Sequence, residues 1–376
     1  MLFRSDTMLY STVMKMKCQD CGSVFGGDTE RWCCECGGLF DLEMNSEFPV
    51  LRIKDRPWDL WRYREALPLD LEKGYISLGE TCTPLTTVRT EKGPVYLKLD
   101  YLFPTGSFKD RGAALMINAV NQIGINEIVE DSSGNSGCSV SAYCAKAGIK
   151  ANIYVPASNS PGKMNQIRAY GANLVRVEGD REATFQACFE AAKETYYASH
   201  VWNPYFFQGT KTAAFEIVEQ LGWRAPEQMI VSAGSGSILI GLWIGFGELQ
   251  RAGVISSMPR FVVVQAENCC PLYDLWLGRE PGEKKATVAE GIAIPKPARW
   301  KQILHAVRET KGDLVTVTEQ QIVDSLRFLV NSGYYIEPTS AVPFAAFLNN
   351  EFSDLETVIL LTGHGLKAAD KISELI

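Results

Sequence analysis

Two sets of reactive side chains stand out in this 376-residue chain: a lysine inside a turn of small residues, and a cluster of thiols near the N-terminus. Lys109 lies in Pro104-Thr105-Gly106-Ser107-Phe108-Lys109-Asp110-Arg111-Gly112-Ala113. A helix is expected to begin near Ser107, so the amine falls in its first turn, where the helix dipole disfavours a cation. Phe103, Phe108 and an alanine-rich helix start flank it with apolar groups. A lysine held in such a cleft loses its proton more easily, and the neutral amine is the form that attacks an aldehyde. A solvated surface lysine is the plain alternative, and the apolar flanks argue against it.

Three further loops each follow an expected strand. Ser132-Ser133-Gly134-Asn135-Ser136-Gly137 leaves backbone N–H groups free at a helix start, which suits a carboxylate, and Asn135 could reach a ring hydroxyl. Ala233-Gly234-Ser235-Gly236-Ser237 has the form of a phosphate cradle. It is not a P-loop, because no Gly-Lys-Ser/Thr follows, and the next glycine, Gly241, breaks a G-x-G-x-x-G pattern. Leu361-Thr362-Gly363-His364-Gly365 offers a hydroxyl that could meet a ring nitrogen. Each loop alone reads as an ordinary turn. Together they supply a nucleophilic lysine, an anion loop, a phosphate cup and a hydroxyl, the set that pyridoxal phosphate requires.

Of the eleven cysteines, five lie between Cys18 and Cys36. Cys18-Gln19-Asp20-Cys21 and Cys33-Cys34-Glu35-Cys36 form two C-x2-C pairs, followed by Gly22, Gly37 and Gly38. Four such thiolates make the closed tetrahedral shell of structural zinc. Cys18, Cys21, Cys33 and Cys36 are the expected ligands, with Cys34 spare. A redox pair or a metal-free ribbon is the other reading of this spacing.

The elements that must position these groups alternate. Val95–Leu99, Glu127–Glu130, Ala151–Val155, Leu174–Val177, Met229–Val231, Phe261–Gln265 and Val358–Leu361 read as strands. Ser136–Ala147, Lys163–Tyr170, Ala183–Thr195, Lys211–Leu221, Ile238–Arg251 and Glu319–Ser332 read as helices. Such alternation predicts an α/β fold with a parallel sheet covered on both faces and ligands beyond the strand ends. Composition agrees with a globular chain: 46% hydrophobic, 22% charged, net charge −7. The acidic balance weighs against nucleic acid, no apolar run approaches a membrane span, and the thiols suggest a reducing, cytoplasmic setting.

The motifs Leu78-Gly79-Glu80-Thr81-Cys82-Thr83-Pro84-Leu85, Pro104–Gly112, Ser133–Gly137, Gly209-Thr210-Lys211-Thr212, Gly234–Ser237, Glu337-Pro338-Thr339-Ser340-Ala341 and Leu361–Lys367 occur in this order. With the cysteine cluster, they make the chain resemble the threonine synthase-like members of the fold-type-II, tryptophan-synthase-β-like pyridoxal-phosphate enzymes. The resemblance implies two three-layer α/β domains behind a zinc-ribbon-like segment: 15–42 for the ribbon, 46–98 with 212–376 for the large domain, and 99–211 for the small one. It implies that Lys109 carries the cofactor, Asn135 meets its 3-hydroxyl, Gly234, Ser235, Gly236, Ser237 and Ile238 bind its phosphate, and Thr362 faces its ring nitrogen. Thr83, Ser133, Gly134 and Ser136 would line the substrate site. Lys163, Arg168, Asn203 and Lys211 are candidates for a substrate phosphate. The implied reaction is a lyase type that turns O-phospho-homoserine and water into threonine and phosphate, in a homodimer. Alternatives are β-replacement on O-phosphoserine with a sulfur nucleophile, as in cysteate synthase-like paralogues, β-elimination as in dehydratases, and a non-catalytic binding protein on the same fold. Phe103 stands where the family usually has asparagine, and Trp202–Phe207 is unusually aromatic.

Overall fold

The computed structural model describes residues 14–27, 29–132, 134–157, 161–349, 352 and 355–376, with the side chains of 161–163 outside the description. β1 (Lys15–Cys18), β2 (Val24–Gly26) and β3 (Phe40–Glu43) form a small antiparallel sheet in the order β2-β1-β3. β4 (Leu85–Thr90) and β5 (Gly93–Lys98) open a larger sheet. The chain then leaves to build β6 (Glu127–Glu130), β7 (Lys150–Pro156), β8 (Asn173–Val177) and β9 (Tyr196–Tyr197), a four-stranded parallel sheet in the order β8-β7-β6-β9. It returns to complete the larger sheet with β10 (Gln228–Ser232), β11 (Arg260–Ala266), β12 (Asp313–Val317) and β13 (Thr357–Leu360), in the order β12-β11-β10-β13-β5-β4.

β5 and β10 to β13 pair in parallel, as the alternating pattern predicts, and are buried by helices. β4 is the exception: it pairs antiparallel with β5. The two strands are joined by Glu91 and Lys92 alone, a connection too short for a crossover, so only a hairpin is open to them. The loops singled out above meet: Lys109 bonds Ser237, Ser107 pairs with Gly363, and Asn135 bonds Glu337.

The N-terminal sheet is docked on the body by named contacts. The buried Arg299 guanidinium donates to Asp41 Oδ1 at 3.2 Å and Phe40 O at 2.9 Å, and its Nε donates to Val201 O at 2.7 Å. Trp32 packs edge-on against Phe189, Tyr197 and Trp202, with its indole N–H on Ala192 O at 3.1 Å. Part of the aromatic run 202–207 is therefore spent on this docking. No helix among the described residues is long and apolar enough to cross a membrane.

Candidate active site

The helix Lys109–Gln122 is pressed against the helix Pro204–Thr210 at two glycines. A Cβ at Gly112 would stand 2.4 Å from the Phe206 ring, and one at Gly209 would stand 2.0 Å from Arg111 O. Beneath them lies a buried ionic network. Arg111 donates to Asp100 Oδ2 at 2.8 Å and Glu216 Oε1 at 2.6 Å, and Lys98 Nζ donates to Glu216 Oε2 at 2.6 Å. Lys109 takes no part in it. Its Nζ donates to Ser237 Oγ at 2.8 Å and lies 4.6 Å and 5.5 Å from the Phe108 and Phe206 ring centroids. Burial pushes this amine down to about 7, partly opposed by Glu130 and assisted by Arg181. An ordinary lysine is almost wholly charged at neutral pH, whereas this one is a usable nucleophile. Uptake of pyridoxal phosphate by cofactor-free protein is accordingly expected to speed up as pH rises through about 7 and level off above it. Stopped-flow absorbance measures this, and a rise centred near the ordinary lysine value would contradict the burial.

The residue touched by Lys109, Ser237, belongs to the expected phosphate cup Gly234–Ile238. Ser237 opens the helix Ser237–Arg251, with Gly236 as its N-cap at φ +79°. A side chain there would be strained and would also strike Ile303, 2.3 Å from an added Cβ. The intrahelical bonds begin only with Ile240 N–H to Gly236 O, so the N–H groups of Ser237, Ile238 and Leu239 have no helical acceptor and can serve an anion. Gly234 and Gly236 are buried, and Ser235 is half-buried between them.

On the other wall, Asn135 Nδ2 donates to Glu337 Oε2 at 2.7 Å, while Asn135 Oδ1 is buried with no partner among the described residues. Ser107 Oγ is likewise orphaned. The orphaned carbonyl oxygen suits a hydroxyl donor, and with the free N–H groups of the cup it fits pyridoxal phosphate. Ser340 Oγ accepts from Thr362 N and Gly363 N, each at 3.0 Å, and lies 3.0 Å from Thr362 Oγ1. With both acceptor sites of Ser340 used, its own hydrogen goes to Thr362 Oγ1 or to Gly363 O at 3.4 Å, and in either case the Thr362 hydroxyl is left to donate outward. Ser340 is a residue whose part the sequence reading missed, whereas Glu337 resembles a family position near the cofactor and its bond to Asn135 is what the sequence left unread. Their signal was present in Glu337-Pro338-Thr339-Ser340-Ala341, but nothing in the spacing ties that segment to Asn135 or Thr362.

Several expected substrate contacts lie elsewhere. Thr83 is buried in the ionic network: its Oγ1 donates to Asp100 Oδ1 at 2.7 Å and its N–H to Glu216 Oε2 at 3.1 Å. Asn203 caps the helix Pro204–Thr210, accepting from Tyr205 N at 3.0 Å and donating to Tyr196 Oη at 2.8 Å. Lys211 is buried on Glu248 at 2.8 Å and on Gln208. Arg168 is exposed. In each buried case local polar partners consume the side chain. Phe103, in the asparagine position, stacks beneath the Arg111 guanidinium at 4.7 Å. Gly134 and Ser136 stand at the start of the helix Asn135–Ala147. Ser133 lies outside the described residues, as does the Lys163 side chain. A cation not read from sequence is Arg181, whose guanidinium lies 3.6 Å from Asp131 and whose charge acts on Lys109.

The thiol cluster also departs from expectation. Cys18, Cys21, Cys34 and Cys36 bring their sulfurs within 4.8 Å of one another, and Cys33 is outside the group. The reason is the turn. Gly37 N–H closes on Cys34 O at 2.8 Å with Gly37 at φ +83°, and Cys34 N–H bonds Gly38 O at 3.0 Å. The tight turn thus begins at Cys34, and Cys33 precedes it. Cys18–Cys36 and Cys21–Cys34 sulfur separations are both 3.5 Å. A tetrahedral shell at Zn–S of about 2.3 Å needs about 3.8 Å.

Comparison with known proteins agrees with this geometry. The family described as pyridoxal-phosphate dependent enzyme matches residues 76–363. The threonine synthase of Methanocaldococcus jannaschii is 32% identical over 379 aligned residues, 95% of this chain and 94% of its own length. That of Methanosarcina acetivorans is 30% identical, over 94% and 92%. Among solved structures, a fungal L-serine ammonia-lyase from Rhizomucor miehei superposes with a TM-score of 0.69 at 22% identity, covering 78% of this chain and 97% of that one. Maize serine racemase superposes with a TM-score of 0.68 at 19% identity, covering 83% and 96%. These structures share the fold. With the lysine, the cup and the loops of Asn135 and Thr362 brought together, the chain belongs to the fold-type-II pyridoxal-phosphate-dependent enzymes, as a threonine synthase-like lyase.

Proposed function

We propose that the protein converts O-phospho-homoserine and water to threonine and phosphate. The observation that carries this reading is the extent of the relatedness: proteins named threonine synthase align over 95% and 94% of the chain. Pyridoxal phosphate, when bound, supplies an electron sink for carbanion chemistry at the substrate. Lys109 holds it and, once displaced by a substrate amine, takes and returns the proton at Cα, a task suited to a group near pH 7. Gly234 to Ile238 anchor the phosphate, and Asn135 orients the ring through its free carbonyl oxygen. Thr362 gives the ring nitrogen a neutral hydroxyl, not a carboxylate. A neutral hydroxyl from Thr362 would not hold a proton on the ring nitrogen as a carboxylate would, and this would favour elimination and replacement on the side chain over transamination. The N–H groups of Asn135 and Ser136, at the start of the helix capped by Gly134, receive the substrate carboxylate. Arg181 and Lys163 are the cations proposed for the substrate phosphate, which leaves from Cγ before water adds at Cβ.

The test is phosphate release from O-phospho-L-homoserine and O-phospho-L-serine, side by side, with the amino-acid product identified. Release from the first with threonine formed supports the reading. Release from the second alone, with a sulfur nucleophile incorporated, replaces it with a β-replacement enzyme.

The four thiols at Cys18, Cys21, Cys34 and Cys36 are proposed to hold structural zinc, which ties β1 to the turn Cys34–Gly37. Cys34→Ser is expected to abolish stoichiometric zinc and lower the thermal midpoint, whereas Cys33→Ser retains both. Metal analysis of the two purified variants decides. Zinc lost in C33S but kept in C34S would restore the ligand set expected from the C-x2-C spacing. The subunits are proposed to act as a homodimer in the cytoplasm.

A further inference from the structure

One buried charged group at the cleft is unused so far. Glu130 ends β6, just before the helix start at Gly134 to Ser136, and is fully buried. Its Oε1 accepts from Ser136 Oγ at 2.9 Å and pairs with His200 Nδ1 at 2.9 Å. Its Oε2 is buried with no partner among the described residues. The pair borders the reacting amine: the His200 ring lies 5.9 Å from Phe206, whose ring lies 5.5 Å from Lys109 Nζ. An ionised carboxylate with an unmatched buried oxygen is costly, and it would repel a second carboxylate arriving at the same helix start.

We propose that Glu130, clamped by His200 and Ser136, is a positioning residue that holds this helix start in place and takes up a proton on Oε2 when the carboxylate of an L-α-amino acid binds there. The proposal rests on reading Gly134 to Ser136 as the substrate-carboxylate site. Charges around Glu130 permit it. Burial pushes Glu130 up to about 7, against the pull of the Ser136 hydrogen bond, Arg181, the Ser132 backbone N–H and Lys109. His200 is driven well below its ordinary value by burial and then by Lys109, so it stays neutral and donates from Nδ1. Asp131 is engaged by Tyr197 Oη at 2.6 Å and by Arg181, and the facing thiols of Cys144 and Cys188 are raised by burial and uncharged. Free protein near pH 7 therefore holds Glu130 partly protonated. A bound anion favours the neutral form further, so binding draws in a proton and weakens as pH rises through about 7.

The test is calorimetric titration of the holoenzyme with L-serine, in two buffers of different ionisation enthalpy, for wild type, Glu130→Gln and Glu130→Ala. Glutamine keeps the acceptor for Ser136 and His200 but does not titrate. Wild type is expected to take up more proton than E130Q, and its affinity to fall by about tenfold more than that of E130Q between about pH 6 and 8. E130A, which loses both clamps, is expected to bind at least about tenfold more weakly than E130Q. Equal proton uptake and equal pH profiles in wild type and E130Q would overturn the proposal. Absence of L-serine binding in wild type would instead overturn the site reading beneath it.

Discussion

Lys109→Ala is expected to leave a folded protein without the visible absorbance of a lysine-linked cofactor and with turnover reduced at least about 10³-fold, because one side chain is both the anchor and the base at Cα. The structural loss is small. Among the described residues the Lys109 amine makes one hydrogen bond, to Ser237, and it stands at the start of a helix in which alanine is well tolerated. Removing an amine held against its preference for water relieves a burial cost. The thermal midpoint of cofactor-free protein should therefore be unchanged or slightly raised, while the spectrum and the rate collapse. Activity surviving within a few-fold of wild type would remove Lys109 from the chemistry.

Arg111→Met is expected to act in the opposite way, on stability. Arg111 is two residues from Lys109 but faces away, into Asp100 and Glu216. Methionine fills part of the volume, leaves buried Asp100 without its cation and leaves Glu216 with Lys98 alone, a change that typically costs about 3–5 kcal/mol. Urea unfolding of the cofactor-free protein measures it. A loss below about 1 kcal/mol would mean that the network relaxes or admits water. The network also sets acid sensitivity. Arg111 and Lys98 hold Glu216 down at about 2, against the effect of burial. A carboxylate with a depressed native value stabilises the fold above its unfolded value and loses that contribution as pH falls towards the native one. Wild-type stability should thus decline steadily from about pH 4.5 towards 2, and R111M should show much less of this slope.

The parts of the fold visible in the sequence were those with strong periodicity and burial. Glu127–Glu130 is recovered residue for residue, and Ile238–Arg251 differs from the observed helix by one position. β4 escaped because its Thr-rich, half-exposed alternation lacks an apolar run, and β9 because two residues carry no period. Lys109 and the cup emerged from the sequence only through several loops taken together, since each alone reads as an ordinary turn, and the bond between Lys109 and Ser237 agrees with that reading. Partners set by tertiary contact were not. Nothing local distinguishes Thr83 on Asp100 from a threonine facing a substrate, or Asn203 capping a helix from one binding phosphate. The same holds for Cys33 and Cys34. Spacing favours the symmetric pair, but the hydrogen bonds of Gly37 and Gly38 to Cys34 decide where the turn starts.

The central claim is that one amine, beside the Ser237 helix start, carries the cofactor. Reduction of the holoenzyme with borohydride, followed by digestion and mass spectrometry, fixes the linkage to a single residue. Modification confined to Lys109 is the predicted result. A label on Lys98, Lys211, Lys367 or any other lysine, with Lys109 unmodified, would contradict it.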